Sequence, residues 1–307
     1  MEQEIKYDIL IIGAGPAGLN AALYASRANL KVGLIEKNIP GGKVTQTAKI
    51  ENWLGTPFID GVEFSQKIFN HAISYGTEYI YGDVVEIKHY KDFEQEVIMQ
   101  DGSSIKSKTI IIATGMKNRE PSFIKNYEKY LNRGLSYCAV CDGPLFKDKS
   151  VLVLGDGNSA FEEATYLTSF VSHVTLITKD HNFKAEKKLV DDFLKQKNIT
   201  LLAGAIIKEL GGENSLEYAL IIDENGKNSK LEISAFFPFI GMIPSCEFAK
   251  KLNILNDNGF IKTNEKMETI LKGIYAIGDI REKEIRQIIT AASDGAIAAK
   301  HISDILK

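Results

Sequence analysis

The 307-residue sequence predicts an α/β chain of two Rossmann-like domains, three-layer ββα in build, with the second inserted into the first. Three observations carry that prediction. An apolar strand, a glycine-rich turn, a helix and a second strand follow one another near the N-terminus. The same series recurs from residue 150 onward. Two strand-like runs ending in Gly115 and Gly241 bracket the recurrence, so the chain would cross into the second domain and back. The expected boundaries are 1–115 and 245–307 for the split domain and 116–244 for the insert.

The first unit begins with Tyr7 to Gly13, YDILIIG, an apolar strand. It runs into Gly13-Ala14-Gly15-Pro16-Ala17-Gly18, a GxGxxG pattern. A helix follows to about Asn29, then a strand ending at Glu36. This order meets the context that a dinucleotide fingerprint requires. The glycines let the backbone approach a pyrophosphate, and the helix N-terminus favours its negative charge. Glu36 can accept hydrogen bonds from both ribose hydroxyls. Residues 40–55, rich in Gly, Thr and Asn, read as a loop over a ligand. Gly41 and Gly42 allow close backbone approach, and Asn52 offers an amide to a polar ring. Taken alone, the segment reads equally well as a plain surface loop. A helix is expected over about Val62 to Tyr75, and strands around 78–90, 94–100 and 105–112. Asp101-Gly102 is a hairpin-turn signal between the last two. The run TIIIATG closes on Thr114-Gly115.

The second unit opens with SVLVLG, then Gly155-Asp156-Gly157-Asn158-Ser159-Ala160. A helix over roughly 159–170 and the strand HVTLI follow. Thr178 stands 23 residues after Gly155, as Glu36 stands after Gly13. Ala160 replaces the third glycine, a variant the fingerprint permits. An acid at the Thr178 position would favour NAD; a neutral Thr leaves the choice open. Lys179 and Lys184 offer charge to a 2′-phosphate and Asp180 opposes it, although the three read equally well as a solvated cluster. Asp223-Glu224-Asn225-Gly226 marks another hairpin, and ISAFFPFIG ends at Gly241. The run Gly273 to Asp279 reads as a short strand ending in Gly278-Asp279. A helix over about Gln287 to Ile302 follows. Asp279 and the helix start at Arg286-Gln287-Ile288 are polar groups that a cofactor can use, and a helix N-terminus stabilises nearby negative charge.

Between the two signatures lies Cys138-Ala139-Val140-Cys141-Asp142-Gly143. Two cysteines at this spacing can close a small disulfide ring, which takes up two electrons on opening. A CxxC also lowers the pKa of one thiol, which speeds exchange. Asp142 is adjacent in sequence and able to move protons as thiolates form. Zinc needs about four ligands; the remaining cysteine is Cys246, and no His pair has ligand spacing, so no metal site is expected. Cys246, in a Pro-Ser-Cys stretch, reads as loop-borne and incidental.

Composition narrows the function classes. Hydrophobic content of 44% and charged content of 25% are those of a soluble globular chain. A net charge of −3 gives no broad basic surface for nucleic acid. Met1 to Lys6 is polar and acidic, unlike a signal peptide, and no apolar run has membrane-span length. A cytoplasmic location without membrane partners is the expectation.

These motifs together resemble a known family. GAGPAG at 13–18, GGK at 41–43, ENWLG at 51–55, ATG at 113–115 and CAVCDG at 138–143 carry the resemblance. GDGNSAFEEA at 155–164, IYAIGD at 274–279 and RQIITAA at 286–292 complete it. Over nearly its whole length the chain is similar to the bacterial-type low-molecular-weight thioredoxin reductases, class II of the pyridine nucleotide-disulfide oxidoreductases. The CxxC just before the second GxGxxA is the specific feature. The resemblance implies FAD held by Gly13, Gly15, Pro16, Ala17, Gly18, Glu36, Lys37, Gly41, Gly42, Lys43, Asn52, Thr114, Gly115, Gly278, Asp279, Arg286, Gln287 and Ile288. It implies NADPH or NADH at Gly155, Gly157, Asn158, Ser159, Ala160, Lys179 and Lys184. It also implies a homodimer and a thioredoxin or thioredoxin-like partner. Cys141 would meet the flavin, Cys138 would attack the partner's disulfide, and Asp142 would give and take the proton. The disulfide and the second nucleotide loop share the inserted domain and must both reach one flavin, so rotation about the two crossings is expected.

One departure stands out. The family's NADPH signature is His-Arg-Arg, three residues, then Arg. Here those positions hold Thr178, Lys179, Asp180 and Lys184, and lysine cannot reproduce the bidentate grip of arginine. Three other readings follow from the same parts. They are a ferredoxin-dependent flavin thioredoxin reductase, an FAD dithiol oxidase, and a flavin-binding redox sensor. The complete GDGNSA loop favours the nicotinamide-dependent reductase over the first two, and the CxxC-Asp sequence opposes the third.

Overall fold

The structure is a computed structural model that describes residues 4–47 and 50–307. Residues 1–3, part of the acidic N-terminus, and 48–49, inside the expected 40–55 loop, lie outside the described residues. The first segment runs β1 (Tyr7–Ile12), α1 (Pro16–Arg27), β2 (Val32–Glu36), α2 (Gly61–Ile73), β3 (Glu78–Tyr81), β4 (Val84–Lys91), β5 (Glu94–Met99) and β6 (Ser104–Ile112). A short strand, β7 (Met116–Asn118), leads out. The inserted segment holds α3 (Ala139–Asp142), β8 (Ser150–Leu154), α4 (Asn158–Leu167), β9 (His173–Thr178) and α5 (Lys187–Leu194). It continues through β10 (Ile199–Ala203), β11 (Ile206–Gly211), β12 (Tyr218–Ile222), β13 (Asn228–Glu232) and β14 (Ala235–Pro238). The chain returns along β15 (Met242–Pro244) and ends with β16 (Ile274–Ala276) and α6 (Ile288–Leu306).

Two compact units result. One joins Met1–Lys117 to Ile243–Lys307, and the other is Asn118–Met242. The crossing strands β7 and β15 pair with each other. Gly115 and Gly241, which precede them, hold φ of 61° and 100°. That region of backbone space suits glycine.

In the split unit, parallel strands run in the order β3-β2-β1-β6-β16. The first half of β6 pairs instead with β5, antiparallel, and β5 pairs with β4. The sheet is covered on both faces, which is why β1 is continuously apolar from Ile9 to Ile12 rather than alternating. Ile9 and Ile11 enter a core shared with α1 and α6. Leu10 and Ile12 enter a second core shared with Val84, Ile87, Val97 and Met99 of the β4-β5 layer. Those are the three ββα layers. Helices α1 and α6 approach closely because small residues face each other: a Cβ on Gly295 would lie 2.4 Å from the Ala17 carbonyl oxygen.

The inserted unit repeats the scheme with parallel strands in the order β10-β9-β8-β14 and an antiparallel layer β11-β12-β13. Leu152 and Leu154 face one core, Val151 and Val153 the other. Asp223–Gly226 forms the turn between β12 and β13, which pair antiparallel.

Two expectations are corrected. The strand foreseen over 78–90 is two strands, β3 and β4, separated at Gly82-Asp83. The chain changes partner there, from parallel pairing with β2 to antiparallel pairing with β5. The glycine at the break leaves room for the Met99 side chain, whose sulfur would lie 2.5 Å from a Cβ on Gly82. The 40–55 segment is not all loop: Gly42–Gln46 winds into a 3₁₀ turn after Gly41, whose φ is 117°. Cys246 lies between β15 and a following 3₁₀ turn, in a loop position as expected. It is buried in the core beneath the β4-β5 layer, and its thiol donates to the Gly259 carbonyl at 3.1 Å. Burial pushes that thiol up to about 11, which makes it a packing residue rather than a nucleophile.

Candidate active site and nucleotide-binding loops

Sheet topology gathers the split unit's candidate residues. Four adjacent parallel strands end at one edge of the sheet: β2 at Glu36, β1 before Gly13, β6 before Ala113 and β16 before Gly278. In open α/β sheets ligands sit beyond the carboxyl ends of the strands, where strand order reverses. Gly13 continues the β1–β2 register, its N–H donating to the Ile35 carbonyl at 2.8 Å. Gly18 must lack a side chain, because a Cβ there would meet the Gly13 carbonyl oxygen at 1.9 Å. Gly15 differs: a Cβ would find nothing within 4 Å. Helix α1 begins there with Pro16 in its first turn and no side-chain cap, so its leading N–H groups remain available to an anion.

The Glu36 carboxylate accepts from the backbone N–H of Ala14 (2.9 Å), Lys37 (2.9 Å) and Asn38 (2.8 Å). A carboxylate has about four acceptor positions, so room is left for a ribose hydroxyl. Lys37 contributes this backbone bond, while its ammonium pairs with Asp83 at 3.2 Å. Gly41 docks on the glycine turn, its N–H donating to the Ala14 carbonyl at 2.8 Å. Gly42 follows so closely that a Cβ would lie 3.3 Å from the Gly15 Cα. Lys43 is next; burial pulls its ammonium down to about 8, against the opposing pull of Asp279. Asn52 donates to the Gln287 side-chain oxygen at 3.0 Å, which ties the loop to the start of α6. Gln287 and Thr290 also cap that helix reciprocally, and Ile288 packs against the Ile50, Ile59 and Phe64 cluster. Thr114 donates to the Ser245 carbonyl at 2.6 Å.

Two buried polar atoms here lack protein partners, the Asp279 Oδ1 and the Arg286 Nε. Burial raises the Asp279 carboxyl, opposed by Lys283, Arg286 and Lys43. An orphaned buried acceptor and donor are costly unless a ligand satisfies them. Together with the open Gly15 and the uncapped α1, they fit a bound dinucleotide such as FAD.

The inserted unit reproduces the first turn in register. The Gly155 N–H donates to the Ile177 carbonyl at 3.1 Å, as Gly13 does to Ile35. Thr178 therefore ends β9 where Glu36 ends β2. Gly157 again faces open space, with nothing within 4 Å of a built Cβ. Helix α4 starts at Asn158 and Ser159 without a side-chain cap. Ala160 is fully buried in the third position. These features fit a second dinucleotide. Lys179 is exposed, whereas the Lys184 ammonium is engaged by Asp156 at 2.8 Å.

The cysteine stretch folds into α3, and Cys138 and Cys141 are joined by a disulfide. Cys138 is the N-cap residue of that short helix, and the Cys141 N–H donates to its sulfur at 3.0 Å. A backbone donor aimed at a sulfur favours the thiolate there once the bond is opened. Cys138 is buried and Cys141 exposed in the oxidised form. The Asp142 carboxylate is held by Ser136, whose hydroxyl donates to Oδ2 at 2.6 Å and accepts from the Cys138 N–H at 3.1 Å. One hydroxyl thus links the acid to the cysteine backbone. Sequence reading missed Ser136, since a serine two residues before a CxxC carries no signal by itself.

It also left Glu163 in the α4 helix as an ordinary residue. The structure gives it a buried, unpartnered Oε2 and a carboxyl pushed up to about 7, first by burial and second by Glu162. Among the described residues no cluster of His, Cys, Asp or Glu can hold a metal ion. No described helix is long and apolar enough to cross a membrane.

Two nucleotide folds and a vicinal disulfide in one of them define a class, the flavin- and pyridine-nucleotide-linked oxidoreductases that work through a dithiol. The family model "Pyridine nucleotide-disulphide oxidoreductase" matches residues 7–295. The thioredoxin reductase of Mycoplasmopsis pulmonis is 49% identical over 307 residues, covering 100% of both chains. That of Bacillus subtilis is 40% identical over 98% of this chain and 95% of its own. The crystal structure of Lactococcus lactis thioredoxin reductase matches with a TM-score of 0.92 and 37% identity, over 98% of this chain and 99% of that one. The chain belongs to the pyridine nucleotide-disulphide oxidoreductase family, within its thioredoxin reductase branch.

Proposed function

We propose that this protein reduces the disulfide of thioredoxin or a thioredoxin-like protein with electrons from a reduced nicotinamide dinucleotide, NADPH first and NADH as the alternative. The observation that carries the reading is the Cys138–Cys141 disulfide, held beside Asp142 and Ser136 in the unit that also bears the second glycine loop. The residues at Gly13–Gly18, Glu36, Lys37, Gly41–Lys43, Asn52, Thr114, Gly115, Gly278, Asp279 and Arg286–Ile288 would hold FAD. When bound, FAD supplies the two-electron chemistry that links the nicotinamide to the disulfide. Gly155, Gly157 and Asn158–Ala160 would hold the nicotinamide dinucleotide, with Lys179 and Lys184 at its adenosine end.

The chain's own steps are these. Opening the disulfide takes two electrons and one proton and leaves Cys138 as the thiolate and Cys141 as the thiol, whose proton goes to Asp142 when the ring later reforms. Cys138, favoured as a thiolate by the Cys141 N–H, attacks the partner's disulfide. The partner's leaving sulfur takes a proton, and Asp142 is the group placed to supply it. Cys141 then attacks the Cys138 sulfur, reforming the ring and releasing the reduced dithiol. The two crossings would act as pivots, letting the disulfide and the nicotinamide loop take turns at one flavin. A cytoplasmic homodimer completes the reading.

Anaerobic titration of the holoprotein with NADPH, NADH and reduced ferredoxin, followed by addition of thioredoxin, tests it. Flavin bleaching by a nicotinamide and reoxidation by thioredoxin are expected. Bleaching by ferredoxin alone would select the ferredoxin-dependent enzyme. Reoxidation by oxygen but not by thioredoxin would select the oxidase.

A further inference from the structure

The end of the nucleotide site that would face the adenosine ribose has an unusual charge balance. In the split unit, Glu36 presents a carboxylate to that position. In the inserted unit the register puts Thr178 there, fully buried, with its hydroxyl donating to the Asp180 carbonyl at 3.0 Å. The carboxylate that Glu36 offers in the first unit has no counterpart at this position, so the strongest selector for an unphosphorylated ribose is missing there.

Selection for a 2′-phosphate needs surplus positive charge, since a phosphomonoester brings about −1.5 to −2 at neutral pH. Two lysines are near, and one is compromised. The Lys184 ammonium lies 2.8 Å from the Asp156 Oδ2, inside the glycine loop itself. The pairing is enforced by the backbone, because the N–H groups of Lys184 and Ala185 donate to the Asp156 carbonyl at 2.8 and 3.0 Å. Asn158 and Glu186 then exchange two more bonds, at 2.8 and 3.2 Å. The segment is laced to the loop, which keeps the Lys184 backbone next to Asp156 and makes Asp156 the nearest counter-charge to its exposed ammonium. Asp180 adds a further negative charge next to Lys179, and Glu186 another. His181 is bonded to Glu224 at 2.8 Å. Lys184 is thus matched by Asp156, and Lys179 has Asp180 beside it in sequence, so neither lysine brings uncompensated charge.

We propose that this protein accepts NADH and NADPH with little discrimination, and that Asp156, through its hold on Lys184, is the residue that withholds selectivity for the 2′-phosphate. The inference rests on the nicotinamide-dependent reading above and specifies its substrate. The ion pair is surface-exposed on the lysine side, so removing its acid should move the balance only modestly, by about fivefold.

The test is anaerobic flavin bleaching of the holoenzyme by each nucleotide, with KM and the limiting rate measured separately. The wild type should give specificity constants for NADPH and NADH within about tenfold of each other. Asp156→Asn should lower the ratio of the NADPH KM to the NADH KM by about fivefold, through KM rather than the limiting rate. Asp180→Asn, outside the loop, should move it the same way and guards against a folding defect in the first variant. A wild-type preference beyond about a hundredfold for either nucleotide overturns the proposal, and so does an unchanged ratio in an Asp156→Asn protein that folds and binds flavin like the wild type. Bleaching by dithionite but by neither nucleotide overturns the nicotinamide-dependent reading as well.

Discussion

Ser136 offers the sharpest test of how the redox centre is built. Its hydroxyl donates to the Asp142 carboxylate and also receives the Cys138 N–H. Ser136→Ala removes both bonds and adds no bulk. A hydrogen bond to a charged group is worth about 1.5–3 kcal/mol, and this one is half-buried, so the lower end applies. If Asp142 moves the proton during thiol exchange, about 1.5 kcal/mol of lost positioning is about a tenfold loss of rate. The loss should fall on one half-reaction only. Stopped-flow bleaching of the flavin by nicotinamide should be unaltered, whereas kcat/KM for thioredoxin should drop about tenfold. Ser136→Thr, which keeps the hydroxyl, should recover most of it. Equal losses in both half-reactions, or none in the thioredoxin step, would refute the assignment of Ser136 as the residue that positions the acid.

Three further outcomes are expected. Gly18→Ala should destabilise the protein by about 3 kcal/mol in chemical denaturation, since its Cβ would sit 1.9 Å from the Gly13 carbonyl oxygen, whereas Gly15→Ala should leave the apoprotein's stability unchanged and weaken FAD binding at least tenfold by isothermal titration. Glu163 has a folded-state carboxyl raised to about 7, so its penalty on folding is absent below about pH 4.5, grows through pH 7 and is complete above it; Glu163→Gln should therefore stabilise the fold by about 2 kcal/mol at pH 8 and by nothing measurable at pH 4.5. Cys246, buried with its thiol pushed up to about 11, should resist alkylation at pH 8 in the native reduced protein, where mass spectrometry should find Cys138 and Cys141 modified and Cys246 labelled only after denaturation.

Local chemistry fixed in the chain accounts for much of this protein. Continuous apolar runs such as YDILII and SVLVL can only be strands covered on both faces, and the turns after them admit no side chain at Gly18 because the chain doubles back on itself. Spacing alone set Thr178 opposite Glu36, since both units count from a strand of the same register. The adjacency of Cys138, Cys141 and Asp142 was legible because residues three or four apart meet in any helical turn, and α3 supplies one. Tertiary structure decided whatever depended on residues distant in sequence. The break at Gly82 came from a change of strand partner, which a one-dimensional pattern cannot express. Cys246 became a core residue because the layer formed by β4 and β5 covers it. Lys184 was counted as a free charge until the folded chain placed Asp156 against it, and Ser136 gained a role only when the turn into α3 aimed its hydroxyl at Asp142. Covalent neighbours and periodicity are properties of the string, but the partner of a charge or a hydroxyl is set by packing, and packing is where this chain's specificity was written.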